Sequence, residues 1–422
     1  MVAIDSEDRW HLHIGAGSLG LGLVVPLCSK MGFKVHIANR PHGSKADVYD
    51  RLKEGRTLSL LFVDSGGCEQ VPYSRFYYTD DPDLMDIFAD GRLSVVTTAV
   101  RGENLDNVFP VIYEGLLTRC HSAPKNGHPL ILIACESSPH CSSRLHNLVQ
   151  EEAIKKNDIE LLRYIKDEVG FVDTLVDRIC FPPKVEQDGS ITSHSETYYE
   201  WLGNKANLRG EISALADKIF LGGVPKLIRE NEFDFFFKRK SWLVTGIQLA
   251  IAVKGLACDP PKERVQDVLD SPVLMSNVDK VGMVWELALQ YYGEVKLFLD
   301  IQEVGYEDIK DYAQTVLTRL KRMSSDNLDR ILWELGKPRI DSRARPAELL
   351  ANMQKERVLL EALHQKIRNR FDEPLQYFAE YDEYCRSQGA SVVDQVPQLY
   401  SALRELNRDL DKLIARRLLD TP

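Results

Sequence analysis

The sequence predicts an α/β domain on a parallel, doubly wound sheet, followed by a mostly α-helical domain. Three observations predict it. Short, continuously apolar runs alternate with helix-like stretches over the first part of the chain, the pattern of a parallel sheet covered on both faces. One of these runs ends in a glycine-rich turn that opens a helix. Beyond about residue 200 the apolar residues recur at helical spacing instead. The expected division is residues 1–200 for the α/β domain and 201–422 for the helical one.

Composition narrows the function classes. The chain has 422 residues, enough for two or three domains with a large core, and its 44% hydrophobic content is that of a globular protein. A net charge of −10 argues against nucleic acid as a partner. No apolar run is long enough to span a bilayer, and the charged first ten residues do not read as a secretory signal. The expectation is a cytoplasmic protein with a small-molecule substrate and no membrane or nucleic-acid partner. Oligomeric state is open. The eight cysteines form no C-x-x-C pair and read as reduced thiols. The ten histidines show no H-E-x-x-H spacing, so no metal site is expected.

The glycine-rich stretch is His11-Leu12-His13-Ile14-Gly15-Ala16-Gly17-Ser18-Leu19-Gly20-Leu21-Gly22. It has the strand–turn–helix order of a dinucleotide site, which makes the first domain Rossmann-type. Gly15 permits the turn, Gly17 lets the backbone approach a pyrophosphate, and Gly20 lets helix and strand pack closely. Gly15, Gly17, Ser18, Leu19 and Gly20 are therefore the expected phosphate-binding residues, with the phosphates on free amides at the helix N-terminus. Pro26 falls inside the following helix and is expected to kink or shorten it. A second strand-like run, Lys34–Ala38, completes the βαβ spacing and ends in Asn39-Arg40. An acidic residue here would bind the ribose hydroxyls of NAD. Asn39 lacks the charge that repels a 2′-phosphate, and Arg40 can clamp one, so NADP is favoured over NAD. Lys45 and Arg51 are near enough in sequence to assist.

Further strands are expected at Leu58–Val63, Leu93–Val100 and Pro129–Ala134. In parallel sheets ligands bind beyond the carboxyl ends of the strands. That places Thr98, Ala99 and Val100, and the loop from Cys135, as candidates for the nicotinamide end, against the alternative of ordinary strand-to-helix connections. Pro139–Lys156 reads as a helix. The run Gly170–Ile179 sets Asp173, Asp177 and Arg178 among apolar residues, and buried charges there need partners. Asp177–Arg178 or Asp173–Arg178 pairing and a supporting role at the site are both open. Helices are expected near 209–220, 232–256, 273–299, 306–323 and 345–372, with breaks at Pro260-Pro261 and Lys337-Pro338. The active site is expected in a cleft between the two domains.

These residues resemble the long-chain polyol dehydrogenases. The resemblance rests on G-A-G-S-L-G-L-G from Gly15, T-T-A-V from Thr97, A-C-E from Ala134, G-F-V-D-T-L-V-D-R-I from Gly170, and Glu200-Trp201. A weaker likeness runs to about residue 350. It implies metal-independent hydride transfer between nicotinamide and a secondary alcohol or ketone. It also implies a catalytic lysine as general acid/base, followed on the same helix by an asparagine at i+5 and a histidine at i+8, with another asparagine after A-C-E. Such a spacing is expected to bring the groups to one side of a helix. Carried over without gaps, Lys240 takes the lysine position, Thr245 and Gln248 the asparagine and histidine positions, and Ser137 that of the asparagine after A-C-E.

Three of the four positions thus differ from the family pattern. Thr and Ser still donate hydrogen bonds to an oxygen, but Gln does not ionise as His does. His140 and His194 are candidates for a replacement base, against the alternative of surface or hydrogen-bonded histidines. Lys238 and Arg239 flank Lys240 and compete with it as the functional cation, against the alternative that all three are solvated. The expected function is an NAD(P)-dependent oxidoreductase acting on CH–OH groups of a polyol-like, sugar-phosphate-like or unusual substrate. The alternatives are a non-redox enzyme (epimerase, isomerase or lyase) or a sensor that retains bound NAD(P).

Overall fold

The computed structural model of the chain describes residues 9–41, 46–100, 102–122, 129–136, 140–220, 224–256, 258, 260–272, 306–322, 328 and 331. It divides into two compact units, Met1–Phe233 and Asp234–Pro422. The first unit runs past the residue-200 boundary suggested by the change of periodicity, because the strand at Glu200–Asn204 pairs back with Thr174–Asp177.

In chain order the strands are β1 (Trp10–Ile14), β2 (Lys34–Asn39), β3 (Thr57–Phe62), β4 (Cys68–Pro72), β5 (Arg75–Tyr78), β6 (Leu93–Thr98), β7 (Leu130–Ala134), β8 (Val169–Phe171), β9 (Thr174–Asp177), β10 (Cys180–Val185), β11 (Ile191–Ser195), β12 (Glu200–Asn204) and β13 (Lys226–Ile228). The helices are α1 (Val25–Lys30), α2 (Ala46–Glu54), α3 (Asp83–Ala89), α4 (Leu105–Ser122), α5 (Cys141–Lys155), α6 (Ile159–Glu168), α7 (Gly210–Ile219), α8 (Glu230–Arg239), α9 (Gly246–Leu256), α10 (Val265–Leu269) and α11 (Tyr306–Arg322).

The main sheet has six strands in the order β5-β2-β1-β6-β7-β8, and every pairing in it is parallel. Going out from β1 in both directions reverses the order between β1 and β6, which makes their carboxyl ends the topological switch point where ligands bind. The sheet is covered on both faces, and the alternation along β7 shows it: Leu130 and Leu132 enter one buried cluster, with Ile112, Leu145 and Leu161, while Ile131 and Ile133 enter the other, with Leu23, Val25 and Ile212. Two-sided burial is why β7 is apolar throughout rather than alternating.

The expected strand at Leu58–Val63 forms, as β3, but joins a separate four-stranded sheet of order β10-β11-β3-β4. Its exposed and buried residues alternate, as one-sided packing requires. A third sheet, β13-β12-β9, closes the unit. The strand expected to reach Val100 stops at Thr98, and the helix expected from Pro139 begins at Cys141. The helix expected at 209–220 is α7.

In the second unit the stretch expected as one helix over 232–256 is α8 and α9 joined by a π-helical turn, Lys240–Thr245. Leu243, Val244, Ile247, Ile251 and Ala252 from this stretch are buried, as are Ile309, Ala313, Val316, Leu317 and Leu320 on one stripe of α11. That i, i+4, i+7 recurrence is the amphipathic signal read in the sequence. The expected helices 273–299 and 345–372 and the Lys337-Pro338 break lie outside the described residues.

Candidate nucleotide-binding and catalytic residues

The glycine turn forms where the sequence placed it, at the carboxyl end of β1. Gly15 has φ 120°, a conformation closed to other residues, and a Cβ there would run into the carbonyl of Ala99. The turn is tied to β2 by two bonds: Gly15 N donates to Ala38 O (2.8 Å), and Ala16 N to Asn39 Oδ1 (3.1 Å). The first amide to close a helical bond is that of Leu21, on Gly17 O (3.0 Å). The amides ahead of it, from Gly17 to Gly20, are the open donors of a helix start. Gly17, Ser18 and Leu19 are half-exposed, whereas Gly15, Ala16 and Gly20 are buried.

The glycines serve different neighbours. A Cβ on Gly20 would strike Gly15 O and the His13 ring, and one on Gly22 would strike Cys180. Around Gly17 there is open space. Protein packing therefore accounts for Gly20 and Gly22, while a Cβ on Gly17 would meet no protein atom within 4 Å. A helix start whose Gly17 has no protein atom against its Cβ position fits the close approach of a dinucleotide.

Pro26 is accommodated by a change of register rather than by ending the helix. Residues Gly20–Val24 are π-helical, with Val25 N bonded to Gly20 O, and α1 continues from there. Pro26 has no N–H for the carbonyl four residues back, that of Gly22. Arg178 supplies the missing donor: its Nη1 lies 3.0 Å from Gly22 O, and its Nε lies 2.7 Å from Glu196 O. The buried guanidinium also lies over the rings of Phe62 (5.2 Å) and Tyr199 (5.6 Å). Arg178 is thus a clamp on the helix that follows the glycine turn, and of the two pairings left open the Asp173–Arg178 one is not formed. Asp173, also buried, accepts from Ser143 N (3.0 Å) and Ser143 Oγ (2.5 Å), with His140 Nδ1 3.4 Å away.

Asn39 has a structural duty. Its Oδ1 caps Ala16 N and its Nδ2 donates to Arg40 O (3.1 Å), so the end of β2 presents the cation of Arg40 and no carboxylate. Arg40 faces Tyr49, whose hydroxyl burial pushes up from its usual range. Arg51 pairs with Glu54 (3.0 Å). Lys45 lies outside the described residues.

Thr98, Ala99 and Val100 come against the glycine turn: Ala99 N donates to Ile14 O (2.9 Å), and Ala99 and Val100 border Gly15. Glu136, buried at the end of β7, holds them from the other side, accepting from Thr98 Oγ1 (3.1 Å) and Val100 N (3.0 Å). The Val100 carbonyl accepts from Asn104 Nδ2 (2.8 Å). These residues therefore offer a surface rather than free amides. The positioning role of Glu136 went unassigned in the sequence, although a carboxylate directly after a buried strand was a visible signal. Ser137 lies outside the described residues.

His140 is largely exposed and adopts a left-handed backbone (φ 55°) at the start of α5, beside Asp173. His194 sits on β11 in the four-stranded sheet, where burial lowers its pKa.

In the second unit, Lys240 begins the π-helical turn and Thr245 ends it. In an α-helix, positions five apart lie about 140° apart around the axis. A π-helix bonds i to i+5 and sets those positions one above the other. The backbone over Lys240–Thr245 is therefore wound differently from the α-helix on which the i, i+5, i+8 expectation was based. Gln248 follows in α9 and is buried. Lys240 is half-buried. Arg239 lies over Tyr312 (4.0 Å) and Phe236 (4.6 Å), so packing on aromatic rings replaces the solvated role open to it. Among the described residues no helix is long and apolar enough to cross a membrane, and no group of three or more His, Cys, Asp or Glu is placed to hold a metal.

Sheet order, glycine turn and open amides together define a dinucleotide-binding α/β unit of the Rossmann type. Residues 10–215 match the model of the mannitol dehydrogenase Rossmann domain family. Mannitol-1-phosphate 5-dehydrogenase of Caldanaerobacter subterraneus subsp. tengcongensis is 24% identical over 246 residues, 58% of this chain and 58% of that protein. The enzyme of the same name from Halalkalibacterium halodurans is 29% identical over 201 residues, 47% of this chain and 50% of that protein. The chain thus spans between half and three-fifths of these two curated relatives. Among solved structures, Pseudomonas fluorescens mannitol 2-dehydrogenase, in a ternary complex with NAD and D-mannitol, superposes with a TM-score of 0.56 at 15% identity, covering 76% of this chain and 71% of that one. A D-sorbitol dehydrogenase in substrate-free form gives 0.56 at 15% identity, covering 83% and 80%. At these identities the likeness is one of fold.

Proposed function

We propose that this chain is a nicotinamide-nucleotide-dependent oxidoreductase acting on a secondary alcohol or ketone of a polyol-like or sugar-phosphate-like substrate. The observation that carries the reading is the open space at the Gly17 Cβ position, at the helix start after β1, in a region that matches the mannitol dehydrogenase Rossmann domain family. The amides from Gly17 to Gly20, including those of Ser18 and Leu19, hold the pyrophosphate. Arg40, with no carboxylate beside it on β2, pairs with a 2′-phosphate, and the preferred nucleotide is NADP(H) rather than NAD(H). Thr98, Ala99 and Val100, braced by Glu136, form the wall for the nicotinamide end.

When bound, the nicotinamide accepts or returns the hydride. Lys240 exchanges the proton of the substrate hydroxyl, and Thr245, Gln248 and Ser137 orient that oxygen by hydrogen bonds. The substrate is a small molecule, and the setting is the cytoplasm, where the cysteines stay reduced.

The test is an absorbance assay for reduced nicotinamide with NAD and NADP, in both redox states, against a panel of alditols, ketoses and their phosphates. Turnover that Lys240→Ala loses by about a hundredfold or more supports the reading, the usual scale for a general acid/base. Nucleotide binding with no redox signal favours a second reading, supported by the non-ionising Gln248: redox-neutral turnover or sensing on the same scaffold. Failure to bind any nicotinamide nucleotide overturns both.

A further inference from the structure

β1 carries two histidines, His11 and His13, on the same side of the strand, and both are completely buried. Between them sits one hydroxyl, that of Thr97 on β6. His11 Nε2 and His13 Nδ1 each lie 2.7 Å from Thr97 Oγ1, and His13 Nε2 lies 2.9 Å from the carbonyl oxygen of Gly15. The proton positions follow from valence alone. A carbonyl only accepts, so His13 carries its proton on Nε2. His13 Nδ1 is then a lone pair and accepts the hydroxyl proton of Thr97. That oxygen has spent its one proton and accepts from His11 Nε2–H. His11 Nδ1 is left as a bare lone pair, and it is a buried atom without a partner. Every donor in the chain points towards Gly15.

We infer that His11, Thr97 and His13 form a positioning relay for the nucleotide site, holding the Gly15 carbonyl turned inward so that the amides after it face outward to the phosphates. This rests on the cofactor-binding reading above. Gly20 belongs to the same assembly, since the Cβ it lacks would strike both ends of the His13–Gly15 bond. The turn, the relay and the helix start are therefore one packed unit, and a shift of the Gly15 carbonyl shifts the open amides with it.

The relay needs neutral imidazoles. Burial holds His13 down to about 4 and pushes His11 well below its ordinary value. The charged groups that bear on it are the histidines themselves, His13 and His36 acting on His11. His36 is in turn flanked by Asp90, Arg75, Arg92 and Lys34.

Thr97→Val tests this, because it keeps the shape and removes only the shared oxygen, while Thr97→Ser restores it. Affinities for NAD, NADH, NADP and NADPH are measured by titration beside thermal unfolding, and the ring tautomers are read from 15N shifts of labelled protein. The expected result is a rise in Kd of about tenfold or more in folded Thr97→Val, recovered in Thr97→Ser, on the scale of one lost buried hydrogen bond. His13 is expected as the Nε2–H tautomer in the wild type and as a mixture in Thr97→Val. A folded Thr97→Val that only melts earlier and binds nucleotides as the wild type does would reduce the relay to a structural contact and overturn the inference. So would an Nδ1–H tautomer for His13 in the wild type, which decides the matter even where Thr97→Val fails to fold. A wild type with the expected tautomers and no affinity for any of the four nucleotides instead defeats the cofactor reading on which it rests.

Discussion

Replacing Gly17 by alanine separates ligand binding from folding at the nucleotide turn. A Cβ there meets no protein atom within 4 Å, and Gly17 is not among the glycines held at positive φ. The folded chain therefore accepts the methyl group without strain, and the unfolded chain loses freedom, a net stabilisation of about 0.4–1 kcal/mol. Binding responds in the opposite sense. On the proposed reading the methyl meets an approaching pyrophosphate and pushes it off one or two of the amides of residues 17–20. Hydrogen bonds to a charged group contribute about 1.5–3 kcal/mol each, so the loss is about 1.5–6 kcal/mol, or roughly ten- to ten-thousandfold in Kd. Gly20→Ala is the control, because its Cβ strikes Gly15 O and His13 and destabilises the fold by about 1–3 kcal/mol. Urea unfolding and nucleotide titration of the two variants measure both quantities. Wild-type nucleotide affinity in Gly17→Ala, or a stability loss above about 1 kcal/mol in it, would refute the assignment of that open space to a ligand.

Stability should fall with acid before the carboxylates titrate. His13 is held at about 4 in the folded protein and returns to about 6.5 on unfolding, so the unfolded chain takes up the extra proton as pH drops. The stabilisation is full above pH 6.5 and lost as pH falls towards 4, on the order of 3 kcal/mol from His13 alone. Denaturant melts across that window should show it, and a flat profile would contradict neutral buried imidazoles. Arg40→Ala should weaken NADPH binding by about ten- to a hundredfold, the loss of a bidentate phosphate contact, and leave NADH binding unchanged. Equal losses for both nucleotides would remove Arg40 from the 2′-phosphate. Arg178→Met should destabilise the first unit by about 2–5 kcal/mol, because the carbonyls of Gly22 and Glu196 lose their buried donor. Denaturant unfolding measures this, and a change below about 1 kcal/mol would mean that water reaches the Gly22 carbonyl instead.

The order of elements and the place of the turn are written in local sequence. Strands buried on both faces are rich in apolar and β-branched residues, so β2, β6 and β7 stand out by residue type, and the glycines at 15, 17 and 20 mark where the chain has to bend and come close. Helical periodicity marks α7 and α11 for the same reason: a single stripe of each is buried. Pairings across long stretches of chain were settled by tertiary packing instead. That Leu58–Phe62 joins β11 rather than the parallel sheet, that Arg178 takes the carbonyl orphaned by Pro26, and that Asn39 caps Ala16 are contacts between residues 23 to 156 positions apart. Local propensity carries no information on such partners, because each follows from which surfaces meet after the sheet has closed. The same is true of the π-helical turn over Lys240–Thr245, where the register that stacks positions 240 and 245 is a matter of packing and not of residue type. His11 and His13 were visible as letters beside the glycines. Their role emerged only when β6 came alongside β1 and brought a single hydroxyl between two rings.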